Sequence, residues 1–198
     1  MGRDRTEVIG ARTGLAGWFD RIRYKEIYRQ AFGLLLIAVC AYFATPGDLR
    51  VMAGLAIAAA GQLFRVFAAG TIFKNRELAS TGAYALVRHP LYLGNFLILA
   101  GFGLACANPW VVLVLVAFWL VWYPSAIRYE DRKLERLFGD AWREWSRGTN
   151  AVFPNRLRLG AMLDTRWNAR QSLFRNGEAW ITIYLLACGA WLWRVAHP

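Results

Sequence analysis

Five apolar runs divide the chain, each bounded by charged or turn-forming residues. The first covers residues 30–44, QAFGLLLIAVCAYFA, with Tyr28 extending its start, and the second covers 49–69 with Arg65 close to its end. The third and fourth, 91–107 and 110–127, are separated only by Asn108 and Pro109, a turn signal that forces them into an antiparallel hairpin. The fifth, AWITIYLLACGAWLWRVA, covers 179–196. About 20 mostly apolar residues cross a hydrocarbon layer roughly 30 Å thick, so the pattern predicts an all-α polytopic membrane protein with about five transmembrane helices.

Two further stretches mix apolar and charged positions at helical spacing. GLAGWFDRIRYKEIYRQ places Leu15, Trp18, Phe19, Ile22 and Ile27 among basic residues, as an interfacial amphipathic helix does. YEDRKLERLFGDAWREW spaces Leu134, Leu137, Phe138, Ala141, Trp142 and Trp145 by three and four, predicting an amphipathic helix that continues or follows the fourth span. From Val152 to Asn176 the chain is polar and basic, with Pro154 and Gly160 as breakers, and reads as a surface segment.

Composition agrees: 57% of the 198 residues are hydrophobic and 15% aromatic. A net charge of +11 would suit a nucleic-acid partner, but the basic residues stand before and between the apolar runs rather than along one polar face. Membrane topology accounts for them. Arg3, Arg5, Arg12, Arg21, Arg23, Lys25 and Arg29 precede the first span, the next loop carries only Arg50, and the densest basic stretch joins the fourth span to the fifth. The positive-inside rule therefore places the N-terminus in the cytoplasm and the C-terminus outside. The first apolar run begins behind a charged stretch and is expected to remain as an anchor rather than be cleaved. Cys40, Cys106 and Cys188 each lie inside an apolar run without ligand spacing, and with His89 and His197 the only histidines, no metal site is expected.

One short stretch carries candidate chemistry. STGAYALVRHPLYLGN places Tyr84, Arg88, His89 and Tyr92 at the water's edge just before the third span. Each has an ordinary explanation: Arg88 obeys the positive-inside rule, the tyrosines belong to the interfacial aromatic belt, and His89 caps a helix. Pro90 suits the first turn of that helix, whose N-terminus favours an anionic group, and Arg88 offers a bidentate contact to a carboxylate. Tyr84 and Tyr92 can hold a planar base or sit beside a cation. Glu130 and Asp131 follow the fourth span, which the hairpin returns to the same membrane face. Two polar clusters therefore converge on one cytoplasmic rim.

STGAYALVRHPLYLG followed, after a hairpin, by EDRKLERLFGDAWREW resembles the isoprenylcysteine carboxyl methyltransferase and phospholipid methyltransferase superfamily of membrane enzymes. The motif residues are Gly82 and Tyr84, Arg88 to Gly94, the Glu130-Asp131 pair, and Phe138-Gly139 with Trp142 and Trp145; the likeness spans residues 76–153. It implies that Leu78, Ala79, Tyr84, His89, Pro90, Leu91, Tyr92 and Glu130 surround S-adenosylmethionine, with Arg88 and Gly94 in the same motif. It further implies a lipid or lipid-modified substrate that reaches the cytoplasmic-facing site from the bilayer. No Rossmann domain is required, and no glycine-rich strand-to-helix fingerprint is present. The chain then divides into an amphipathic cytoplasmic segment (1–29), a membrane methyltransferase core (30–153), and a basic segment with the last transmembrane helix (154–198).

Two departures bear on the acceptor. The second acid is Asp131 where the family has glutamate, and the position four before Glu130, often an arginine assigned to the substrate in the carboxyl methylators, is Ala126; Arg128 is the nearest replacement. A carboxylate acceptor needs only positioning, for which Arg128 is the candidate, whereas an amine needs a general base, for which Glu130 is the candidate. Two other readings compete. A nicotinamide-dependent membrane reductase would use a basic rim near Arg76 and Arg88, and a non-catalytic lipid-binding protein would account for the hydropathy but not for the two motifs together.

Overall fold

The computed structural model describes residues 26–72, 77–156 and 158–197. Residues 1–25, with most of the expected N-terminal amphipathic helix, lie outside the described residues, as do Lys74 and Arg76; residues 26–30 of that stretch begin α1. Among those described, every regular element is helical: α1 (Glu26–Tyr42), α2 (Asp48–Thr71), α3 (Pro90–Cys106), α4 (Pro109–Arg147), the short α5 (Leu159–Leu163) and α6 (Glu178–Ala196), with a 3-10 turn at Gly82–Ala85 and a π-turn at Gln171–Arg175.

Each apolar run forms one of the long helices. Three of these, α2, α4 and α6, are long and apolar enough to cross a membrane, which fits an integral membrane protein. α1 and α3 have 17 residues each, about 26 Å of helix. α4 has 39 residues, twice what a bilayer needs, so its polar half from Arg128 onward projects beyond the apolar layer. The Asn108-Pro109 turn does what its chemistry dictates. Ala107 closes α3 in the left-handed region, Pro109 opens α4, and the Asn108 side chain accepts from the Trp110 and Val111 amides at 3.1 and 3.3 Å.

α2 and α3 pack along a seam of small residues. A Cβ at Gly54 would stand 2.5 Å from the Gly101 carbonyl oxygen, and one at Gly61 would stand 2.9 Å from that of Gly94. Ala58 and Ala105 complete the seam, so the backbones approach closely within one chain. α1 packs on α3, is bonded to α6 through the Tyr184 hydroxyl, which donates to the Leu34 carbonyl at 2.7 Å, and meets α4 through Phe32, Phe118 and Trp122.

The segment read as a polar surface connector has a structural task. Its side chains donate to carbonyls at and just beyond the end of α2: Ser172 Oγ to Val66 at 2.6 Å, Asn176 Nδ2 to Ala69 at 2.7 Å and Gln171 Nε2 to Ile72 at 3.0 Å. α6 is then fastened by a buried network in which Arg65 pairs with Glu178 at 2.6 Å, Gln62 donates to Glu178, and Arg65 also donates to Asn95.

Candidate active site

The hairpin brings the start of α3 beside the polar half of α4, and between them lies a cavity of about 180 Å³. Its walls include Leu78, Ala79, Tyr84, Arg88, His89, Pro90, Leu91, Tyr92 and Glu130. Gly94 and Arg128 stand elsewhere. Gly94 is buried against Gly61 and the Arg65 stem, where a Cβ would collide, so its motif position serves helix packing. Arg128 is exposed and does not line the cavity.

Arg88 is not free to receive a ligand carboxylate, as its sequence position led one to expect. Its Nε and Nη2 donate to Asp131 at 3.3 and 2.9 Å, and its Nη1 donates to the Thr149 and Ser146 carbonyls at 2.7 and 3.3 Å. His89 Nε2 lies 2.8 Å from Asp131 as well. The backbone adds to this clasp, with the Arg88 and His89 amides donating to the Asn150 and Ala151 carbonyls. Burial raises the Asp131 carboxyl, but hydrogen bonding and charge from His89 and then Arg88 outweigh it and hold the group below its ordinary value. Asp131 is thus the residue that joins the two motifs.

Glu130, its neighbour, faces the cavity, with the Tyr92 hydroxyl donating to it at 3.4 Å. Tyr92 stacks on His89 at 5.4 Å, and Tyr84 is buried beneath the same wall. Burial pushes the Tyr84 phenol well above its ordinary value, and the Glu130 charge adds to the shift. Tyr84 stays neutral at any physiological pH.

Other residues line the cavity that were not expected there, although Phe138 and Trp145 belong to the motif. Leu134 and Phe138 follow Glu130 at four-residue intervals and so share its face of α4; that spacing was the signal that predicted an amphipathic helix. Trp145 also lines the cavity, beyond a break in α4 at Gly139, where φ is 54° and ψ −125°. Its indole N–H is buried with no acceptor among the described residues, a donor free for a ligand. Lys133, Tyr129, Glu77 and Glu26 complete the polar lining. Among the described residues, no group of three or more His, Cys, Asp or Glu side chains is placed to hold a metal ion.

The structure is thus that of a helical integral membrane protein with a polar pocket where a helical hairpin meets the polar half of α4. Residues 28–141 match the phospholipid methyltransferase family, and the chain belongs to it. Relatives include the cobalt-zinc-cadmium resistance protein CzcN of Cupriavidus metallidurans, 34% identical over 130 residues that make up 65% of this chain and 52% of that one. The nickel-cobalt-cadmium resistance protein NccN of Alcaligenes xylosoxydans xylosoxydans is 35% identical over 104 residues, 52% of this chain and 47% of its own. The chain spans about half the length of these curated relatives. No solved structure matches it significantly.

Proposed function

We propose that this protein transfers a methyl group from S-adenosylmethionine to a lipid or lipid-modified acceptor at the cytoplasmic face of the membrane. The observation that carries the reading is the cavity itself, in which Tyr92 from the first motif bonds Glu130 from the second. The residues suit the cofactor. Tyr84, Phe138 and Trp145 offer aromatic faces for a purine and the unused indole donor of Trp145 an acceptor site on it, while Glu130 and the Tyr92 ring favour a sulfonium charge. Lys133 offers a partner for the amino-acid carboxylate.

When bound, S-adenosylmethionine supplies an electrophilic methyl whose carbon–sulfur bond breaks as the acceptor's lone pair bonds to carbon, the sulfur leaving as a neutral thioether. The protein's part is alignment and exclusion of water, which an enclosed site under a membrane helix provides. Glu130 would take the proton released by an amine acceptor; a carboxylate acceptor requires no base. Arg128, on the outer face of α4, has no part in this scheme. The relatives' names concern resistance to cobalt, zinc, nickel and cadmium, and we place this chain in the same setting through its chemistry on lipids.

Methyl-label transfer from S-adenosylmethionine to a lipid extract tests the reading. Base-labile label would mean a methyl ester, and base-stable label in lipid an N-methylated or similar acceptor. Tyr92→Ala and His89→Ala are expected to weaken cofactor binding by about tenfold or more, roughly 1.4 kcal/mol, with helicity by circular dichroism unchanged. Normal affinity in both variants would overturn the site assignment.

A further inference from the structure

Between α4 and α6 the chain carries five arginines, Arg156, Arg158, Arg166, Arg170 and Arg175, against one acidic residue, Asp164. All five are exposed, and none has a carboxylate within ion-pair distance among the described residues. Large apolar side chains are interspersed with them and exposed as well: Leu159, Leu163, Trp167 and Phe174, the last by 71%. Apolar groups displayed beside unpaired cations mark a surface that is covered by a membrane or a partner.

Hydrogen bonds fix the depth of this stretch. The Trp167 indole donates to the Val66 carbonyl at 3.1 Å and the Asn168 amide to that of Gly70 at 3.0 Å, both in the last turns of α2. Asn176 holds the Ala69 carbonyl, and α6 begins two residues later at Glu178. α2 and α6 are both long and apolar enough to cross a membrane, so residues 165–177 lie where both leave the apolar layer. That is the headgroup level, where indole rings rest on hydrocarbon and guanidinium groups reach phosphate. A soluble acidic protein would meet the arginines but leave the apolar side chains uncovered.

We infer that the arginines and exposed apolar side chains between Arg156 and Arg175 form a surface that binds anionic phospholipid headgroups of the surrounding leaflet. Leu163, Trp167 and Phe174 rest among the upper acyl chains while the arginines hold the phosphates. These lipids sit at the protein's surface, apart from any reaction, so the inference does not depend on the methyltransferase reading. The surface is tied to the candidate active site. α5 packs on the 3-10 turn that carries Tyr84, and Gln171 holds the carbonyl of Ile72, which lines the cavity.

Lipid selectivity tests this. The full chain is reconstituted in phosphatidylcholine vesicles containing a trace of spin-labelled phosphatidylglycerol or spin-labelled phosphatidylcholine, and the motionally restricted fraction of each gives their relative association. The anionic lipid is expected to be favoured at least about threefold, and Arg166→Gln with Arg170→Gln should cut that preference by about half or more. Arg132→Gln with Arg136→Gln removes the same charge from the exposed, projecting part of α4 and should lower it much less. In vesicles brominated on the upper acyl carbons, Trp167→Phe should reduce the fraction of tryptophan emission that is quenched. Equal association of the two lipids overturns the inference; polyglutamate binding that is then lost in the Arg166 and Arg170 variant would assign the surface to an acidic protein instead. An equal fall in both paired variants, which reports net charge alone, overturns it too, as does quenching unchanged in Trp167→Phe.

Discussion

At the residue scale, Asp131 shows how a modest sequence change can hold a large structural role. It accepts from Arg88 and lies within hydrogen-bond distance of His89, with the lower carboxyl pKa that such partners produce. A group whose folded pKa lies below its unfolded value of about 3.9 adds stability above that pH, and the contribution is lost as pH falls through the folded value. Asp131→Asn is therefore expected to cost about 1–3 kcal/mol at neutral pH, with the gap to wild type narrowing below about pH 4. Thermal melting in detergent between pH 3 and 7 checks both parts; a gap independent of pH would mean that the ion pair is not the cause. The residues lining the cavity were legible because the Arg-His-Pro-x-Tyr stretch is compact. The capture of Arg88 by Asp131 was not, since a motif names residues without naming which of them satisfy one another. Gly94 was ambiguous for a similar reason: its use depends on Gly61 and Arg65 across the seam.

At the scale of elements, the apolar runs marked α1, α2, α3 and α6 to within a few residues, and the apolar half of α4, because membrane thickness sets their length. Hydropathy has no means of registering the break at Gly139. With φ at 54°, that position is adopted cheaply by glycine alone, and no heavy atom outside its immediate neighbours approaches within 4 Å of a Cβ built there. Gly139→Ala thus isolates backbone strain from crowding. It is expected to cost about 1 kcal/mol and, by straightening the helix, to move Trp145 off the cavity. Cofactor affinity should fall while Gly160→Ala, also in open space but without positive φ, leaves it unchanged. Equal affinities in the two variants would show that the bend is incidental to the site.

For the whole molecule, the sequence expectation of five spans, α1 to α4 and α6, would put the two termini on opposite sides. A reporter fused to the C-terminus is expected outside and one at the N-terminus inside, with the basic stretch from Arg128 to Arg175 cytoplasmic. Termini on one side would mean that one of the 17-residue helices, α1 or α3, does not cross. A further cavity, of about 400 Å³, beside Arg29 was invisible to sequence reasoning because α1, α3 and α6 supply most of its walls from distant stretches of the chain. Arg29 looked like one more cytoplasmic charge; only folding encloses it.

The buried bond between Arg65 and Glu178 bears on how such a chain can change over evolutionary time. The family match ends at residue 141, well before α6, yet Arg65 lies inside it. Once a cation is paired behind a helix, deleting that helix removes its carboxylate partner, a penalty of several kcal/mol. The two positions are thereby coupled: without α6, Arg65 would keep only Asn95 as its side-chain partner among the described residues, so neutralising position 65 before losing the helix is the less costly order.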